Sequence, residues 1–153
     1  MPTEPTDPAE PADPAATSDL VDALAQLSFA VQRVLSVAAA EHDLSVIQLR
    51  LLGILRDRQP GMLELAAHLD LDKSSVTGLV SRAEKRGVVR RSPSPHDGRG
   101  VLVSLTPAGR ELTDRCAAEI GRRLTALTAS LDDDERRQLT RLATGLVAPG
   151  RPG

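Results

Sequence analysis

The 153 residues hold no tryptophan, no tyrosine and a single phenylalanine, Phe29. Any core must therefore be aliphatic. The scarcity also excludes a mode of recognition. Proteins that grip single strands or RNA loops stack bases on aromatic side chains, and this chain cannot do so on any scale. One cysteine, Cys116, rules out an internal disulfide and a cysteine-based zinc framework, as suits a reducing cytoplasm. No apolar run approaches the roughly 18–20 residues that span a bilayer, and no basic n-region followed by an apolar h-region marks a secretory signal. No membrane partner is expected. The motifs G-x-S-x-G, H-E-x-x-H, Walker A and G-x-G-x-x-G are missing. "DGRG" (97–100) is too short to cradle a phosphate alone. Neither an enzyme nor a cofactor is expected.

Charge is what the chain has, unevenly placed. The net value is −2, which argues against simple nucleic-acid binding until it is mapped. Residues 1–22 carry six acids (Glu4, Asp7, Glu10, Asp13, Asp19, Asp22) and no lysine or arginine. Residues 72–99 hold seven basic residues (Lys73, Arg82, Lys85, Arg86, Arg90, Arg91, Arg99) against three acids (Asp72, Glu84, Asp97). A local positive field of this kind is the footprint of a polyanionic partner.

The first 17 residues read as a solvated acidic tail. Pro2, Pro5, Pro8, Pro11 and Pro14 recur every third residue, the period of polyproline II, but no basic residue accompanies them as in typical PxxP ligands. Residues 18–41 have helical apolar spacing (Leu20, Leu24, Leu27, Val31, Val34, Leu35, Ala38). Ser45 and Gln48 form a capping box at the start of a second helix, and Leu44 can staple to Leu49. Pro60-Gly61 ends that segment. A short helix follows over 62–69. After a tight connection, another runs over 73–86, with Asp72 as N-cap, Leu71 and Val76 as staple, and Gly87 as the C′ residue. Leu79, Val80 and Ala83 are expected to face the core. "VVRRSPSPHDGRGVLVSL" (88–105) reads as two short strands around a long loop, Pro93 to Gly100. Thr106 caps a long helix with Pro107 at N1, carrying Leu112, Cys116, Ile120, Leu124 and Leu127 on one face. Asp132 and Glu135 open a last helix with Leu139, Leu142 and Leu146. Residues 148–153 are expected to be disordered.

A short helix, a tight turn and a second helix make a helix-turn-helix, whose second helix enters the DNA major groove by its N-terminal residues. Here those are Lys73, Ser74, Ser75 and Thr77, with Ser81 and Arg82 one to two turns on. A long-looped hairpin after such a pair is the layout of a winged helix. Arg99 then sits near the wing tip, where arginine suits the negative potential of the minor groove. Gly98 and Gly100 flank it and let the backbone pass close to DNA. Pro93 and Pro95 stiffen the approach. Asp97 is expected to brace Arg91 or Arg99.

The stretch "LELAAHLDLDKSSVTGLVSRAEKRGVVRRSPSPHDGRGVLVSLTPAGREL" resembles the winged-helix core of the MarR family of bacterial transcription regulators, most specifically in "DKSSVT", "EKRGVV.R" and "PSPHDGRGVLVSLTPAG". Asp97 and Arg99 fall on the family's wing Asp-x-Arg, and Lys73, Ser74, Ser75 and Thr77 on the reading end of the recognition helix. Three positions depart. Gly78 stands where arginine is frequent, removing a DNA contact and weakening the helix. Arg90 replaces a common acid, and Gly98 another frequent arginine.

The resemblance implies a mainly α fold with a small β-hairpin wing: one domain over 18–147, its winged helix-turn-helix over 45–105, and dimerisation helices over 18–41 and 106–147. It implies a cytoplasmic, nucleoid-associated repressor that binds a pseudo-palindromic operator as a homodimer. The long apolar faces outside the central module support a dimer independently. Double-stranded DNA is the expected partner, with Arg86 and Arg90 joining the contact residues. A small-molecule effector, often phenolic in the family, would meet Phe29, Arg33, His42 and Arg50. Cys116, on an apolar face, is expected to be buried and inert. His42, His68 and His96 are far apart, and Glu64 with His68 makes only two ligands, so no metal is expected. The rival reading is a winged helix used for protein interaction or as an architectural DNA-binding module without a small-molecule ligand.

Overall fold

The computed structural model describes residues 13–148; the polyproline expectation for residues 1–12 and the disorder expected for 149–153 lie outside them. Two compact units divide the chain, one ending at Arg33 and one beginning at Val34.

Helix α1 (Pro14–Ala40) begins four residues earlier than the expected boundary at 18. The reason is local: the Asp13 carboxylate accepts the Ala15 N–H at 3.1 Å, and Pro14 at N1 has no N–H to satisfy. Residues 14–17 are thus helix, not tail. In the first unit most of the large apolar residues stay uncovered: Leu20 is 58% exposed, Leu24 46% and Phe29 57%. The composition also needs a correction, because α1 contains an 18-residue window of mean hydropathy 1.4 with no more than two charged residues. By length and composition alone it could cross a bilayer.

In the second unit, α1 ends on buried Ala38 and Ala39. The chain turns through Asp43, at φ 55°, into α2 (Val46–Leu55), where the Ser45–Gln48 capping box forms in both directions. Helix α3 (Met62–Leu69) stops at Asp70, whose left-handed conformation (φ 54°) lets its N–H cap the Ala66 and Ala67 carbonyls. Residues 70–72 then lead into α4 (Lys73–Lys85). Its Val76, Leu79, Val80 and Ala83 are buried, the face that the apolar spacing picks out. Gly87 takes φ +80°, a C-cap only glycine adopts without cost.

Strands β1 (Val89–Pro93) and β2 (Val101–Leu105) pair antiparallel, Val89 opposite Leu105 and Pro93 opposite Val101. The loop is therefore 94–100, shorter by one residue than the sequence suggests. A bridge from Gly61 to Leu102 and a bond from the Val103 N–H to the Pro60 carbonyl (3.0 Å) fasten the hairpin to the α2–α3 connection. Helix α5 (Pro107–Leu127) starts on the Thr106 cap. A Cβ at Gly109 would lie 1.8 Å from the Val88 carbonyl oxygen, so this close crossing requires glycine. The core is aliphatic: Leu51, Leu65, Val76, Val80 and Val103 are fully buried, each worth roughly 1.5–3 kcal/mol of transfer free energy. Helix α6 (Asp133–Val147) is capped by the reciprocal Asp132–Glu135 box but buries no residue. Leu142 is 54% and Leu146 66% exposed.

Candidate nucleic-acid interface

The first turn of α4 is organised by one carboxylate. Asp72 Oδ1 accepts the Ser75 N–H at 2.8 Å and the Ser74 hydroxyl at 2.7 Å, and Oδ2 accepts the Ser75 hydroxyl at 2.8 Å. These bonds, the Ser74 hydroxyl first, hold the Asp72 carboxyl well below the usual carboxylate range. Thr77 Oγ1 donates back to the Lys73 carbonyl at 2.8 Å. Lys73, Ser74, Ser75 and Thr77 are all exposed. The sequence placed them on one end of one helix. The sequence identifies Asp72 as the N-cap but not the hydroxyl bonds it collects from Ser74 and Ser75, although an aspartate followed at two and three residues by serines is a signal for them.

Gly78 also has a local steric consequence. A Cβ there would come within 3.3 Å of Arg82 Nη1. The Arg82 guanidinium therefore lies over the glycine, and the missing side chain makes room for a cation on the next turn.

The wing is tied to α4 by Arg91, through a residue partnership different from the expected one. Its guanidinium donates to Glu84 Oε2 (3.0 Å), Ser81 Oγ (3.0 Å) and the Thr77 carbonyl (3.4 Å). The expected Asp97–Arg91 brace does not form, because Arg91 lies on the hairpin face that covers α4. Asp97 instead acts within the loop: its Oδ1 accepts the Arg99 backbone N–H at 3.1 Å and its carbonyl the Gly100 N–H at 2.9 Å. It fixes the backbone under Arg99 and leaves the guanidinium unpaired. Arg99 is exposed and has no ion-pair partner among the described residues.

Two of the expected DNA contacts lie elsewhere. Arg86 donates to the carbonyls of Asp43 (2.7 Å) and His42 (2.5 Å), orphan acceptors just past the end of α1, so its guanidinium is engaged structurally. Arg90, one residue from Arg91, points to the opposite face of the strand. There its Nε donates to Ser104 Oγ at 3.3 Å, and with Arg56, Arg58 and Arg110 it lines a polar cleft of about 510 Å³. The structure thus groups Lys73, Ser74, Ser75, Thr77, Ser81, Arg82 and Arg91 on α4 and its wing clamp, carries Arg99 at the loop, and separates Arg86 and Arg90 from them.

The effector candidates also divide. Phe29 and Arg33 belong to the first unit. In the second, Arg50 lines a largely apolar cleft of about 250 Å³ together with Leu35, Leu49, Thr113, Cys116 and Ile120. His42 is not among its lining residues. Burial pushes the Cys116 thiol up, which lowers its nucleophilicity.

With this geometry established, comparison with known proteins is specific. A sequence model of the MarR family matches residues 42–100. The HTH-type transcriptional regulator YhbI of Bacillus subtilis is 30% identical over 117 residues, 76% of either chain. The multiple antibiotic resistance protein MarR of Escherichia coli is 30% identical over 129 residues, 78% of this chain and 90% of that protein. A crystal structure of a mutant E. coli MarR complexed with operator DNA superposes with a TM-score of 0.70 at 27% identity, covering 85% of this chain and 94% of that one. Helix pair, clamped wing and sequence similarity converge: this chain belongs to the MarR family of winged-helix transcription regulators.

Proposed function

We propose that the protein is a sequence-specific regulator that binds double-stranded operator DNA as a homodimer, with α4 in the major groove and Arg99 of the wing against the minor groove or backbone. The observation that carries this reading is the Arg91 clamp. By joining Glu84 and Ser81 of α4 to β1, it makes helix and wing one preorganised reader, and it neutralises Glu84, a carboxylate on the recognition helix itself. Lys73, Ser74, Ser75, Thr77, Ser81 and Arg82 are the base and phosphate contacts, Arg99 the wing contact, and Asp97 and Arg91 their supports. Arg86 serves the fold. The exposed apolar faces of α1 and α6 suit a second copy of the chain, and two-fold symmetry then calls for half-sites about 10 bp apart. Such a regulator works in the cytoplasm on the nucleoid, as a repressor released by a small molecule. The Arg50-lined cleft supports an effector site, and release would express a coupling of about 1–3 kcal/mol.

Selection from a random duplex library at physiological salt tests the reading. Enrichment of one pseudo-palindrome, with affinity falling steeply as salt rises, is expected. Salt-insensitive binding, or no enriched site, would favour the protein-interaction alternative. A thermal shift with phenolic acids is the matching test for the effector, and a flat screen would count against it.

A further inference from the structure

The hydroxyls of α4 do not all have the same hydrogen to offer. A serine or threonine hydroxyl carries one proton and two lone pairs. The Asp72 carboxylate has no proton to give, so the hydroxyls that meet it at 2.7 and 2.8 Å must both donate. The Lys73 carbonyl can only accept, so Thr77 also donates inward. Ser74, Ser75 and Thr77 therefore have no proton left and present lone pairs alone to the outside. Ser81 is the reverse: it accepts from Arg91 Nη2 at 3.0 Å, and its proton is not given to any acceptor among the described residues.

We infer that α4 reads DNA with split polarity: Ser74, Ser75 and Thr77 act only as acceptors, for the exocyclic amino groups of adenine or cytosine, and Ser81 and Arg82 act as donors, for guanine, thymine or phosphate oxygens. This deepens the DNA-binding reading and rests on it. In the major groove, adenine N6 and cytosine N4 are the donors, whereas guanine N7 and O6 and thymine O4 accept. Every base pair carries one such amino group, so an acceptor-only hydroxyl selects which strand holds A or C. Phosphate oxygens are acceptors too, so these three hydroxyls are excluded from backbone contacts. The low proton affinity of Asp72 keeps the arrangement fixed at any physiological pH, and its charge behind the serines favours amino hydrogens over carbonyl oxygens. Lys73 does not break the pattern, because its ammonium sits on a long stem suited to phosphates. Ser74 and Ser81 are two helical turns apart on one face, about 10 Å or roughly three base-pair steps.

The test uses the full-length protein and its selected operator. Ser74→Ala and Ser75→Ala first identify the positions at which base preference is lost. At those positions adenine is replaced by purine, or cytosine by 2-pyrimidinone, deleting only the amino group. In the wild type each deletion is expected to weaken binding about three- to tenfold, the scale of one hydrogen bond. In the matching serine variant it should cost little. Asp72→Asn keeps a good N-cap but releases at least one serine proton, so its selected motif should admit G or T at one of those positions. Amino deletions that cost nothing at every serine-sensitive position, or an Asp72→Asn motif identical to wild type, would overturn the inference while operator binding persists. Failure to select any duplex would overturn the DNA-binding reading and this inference with it.

Discussion

The central lobe and the flanking helices use leucine in opposite ways. From α2 to β2 most large apolar residues turn inward, Leu63 at 75% exposure being the exception, and Leu51, Leu65 and Val76 are sealed within one chain. On α1 and α6, Leu24, Leu142 and Leu146 are 46%, 54% and 66% exposed, although the helices are well formed and α6 has a reciprocal cap. The lesson is that helical periodicity shows a face to be buried without saying by what. The lobe solves the problem alone, whereas the long helices are folded correctly and left unfinished, as expected of elements completed by a second copy.

The strongest way to break this contrast is to charge the uncovered faces of α1 and α6, one from each unit. Leu24→Glu with Leu142→Glu is expected to raise the dimer dissociation constant by about 100-fold or more, because two carboxylates would be desolvated in each half of the interface. Sedimentation should show monomer at micromolar concentration with helical content retained. A dimer of unchanged stability would place the interface elsewhere. Next in size, Leu65→Ala in the lobe should cost about 2–5 kcal/mol in denaturant unfolding, leaving a cavity that the sealed core cannot close. A much smaller loss would mean that the lobe is less tightly packed than its burial implies.

Two helical glycines sharpen the comparison further. Gly109→Ala forces a methyl onto the Val88 carbonyl at 1.8 Å and should destabilise by about 1–3 kcal/mol or more. Gly78→Ala meets only the flexible end of Arg82 at 3.3 Å, so the helix-propensity gain of about 0.8–1 kcal/mol should prevail. The chain would then be more stable while its operator preference changes, because Arg82 is displaced. Melting temperature and site selection on the same two variants separate these effects.

What was legible in the sequence was what is local. Ser45–Gln48, Asp72, Gly87 and Thr106-Pro107 announce their roles within four residues, and the inward turn of Leu79, Val80 and Ala83 follows from a 3.6-residue period. Pro14 fits the tail in sequence because a proline every third residue also suits polyproline II, and only the Asp13 cap decides for helix. The fates of Arg86, Arg90 and Arg91 were not legible. Adjacent strand residues point to opposite faces, but which face α4 covers is a tertiary fact. That fact gives Arg91 to Glu84, Arg90 to Ser104, and Arg86 to carbonyls more than 40 residues away.

The smallest expected effect lies in acid. Asp72 has an ordinary value of 3.8, lowered in the folded chain by the Ser74 and Ser75 bonds. A group whose folded value is depressed adds stability above its unfolded value, and loses that contribution as pH falls from there through the folded value. The wild type should therefore lose cap stabilisation progressively below about pH 4. Asp72→Asn, which caps without titrating, should remove that component of the slope and leave stability near pH 7 only slightly changed. Asp72 is solvent-exposed, so the difference should be modest and should shrink with added salt. Parallel acid-unfolding curves for the two proteins would mean that the serines do not hold their protons on Asp72. The recognition helix would then lose the fixed polarity that distinguishes it from the rest of the surface.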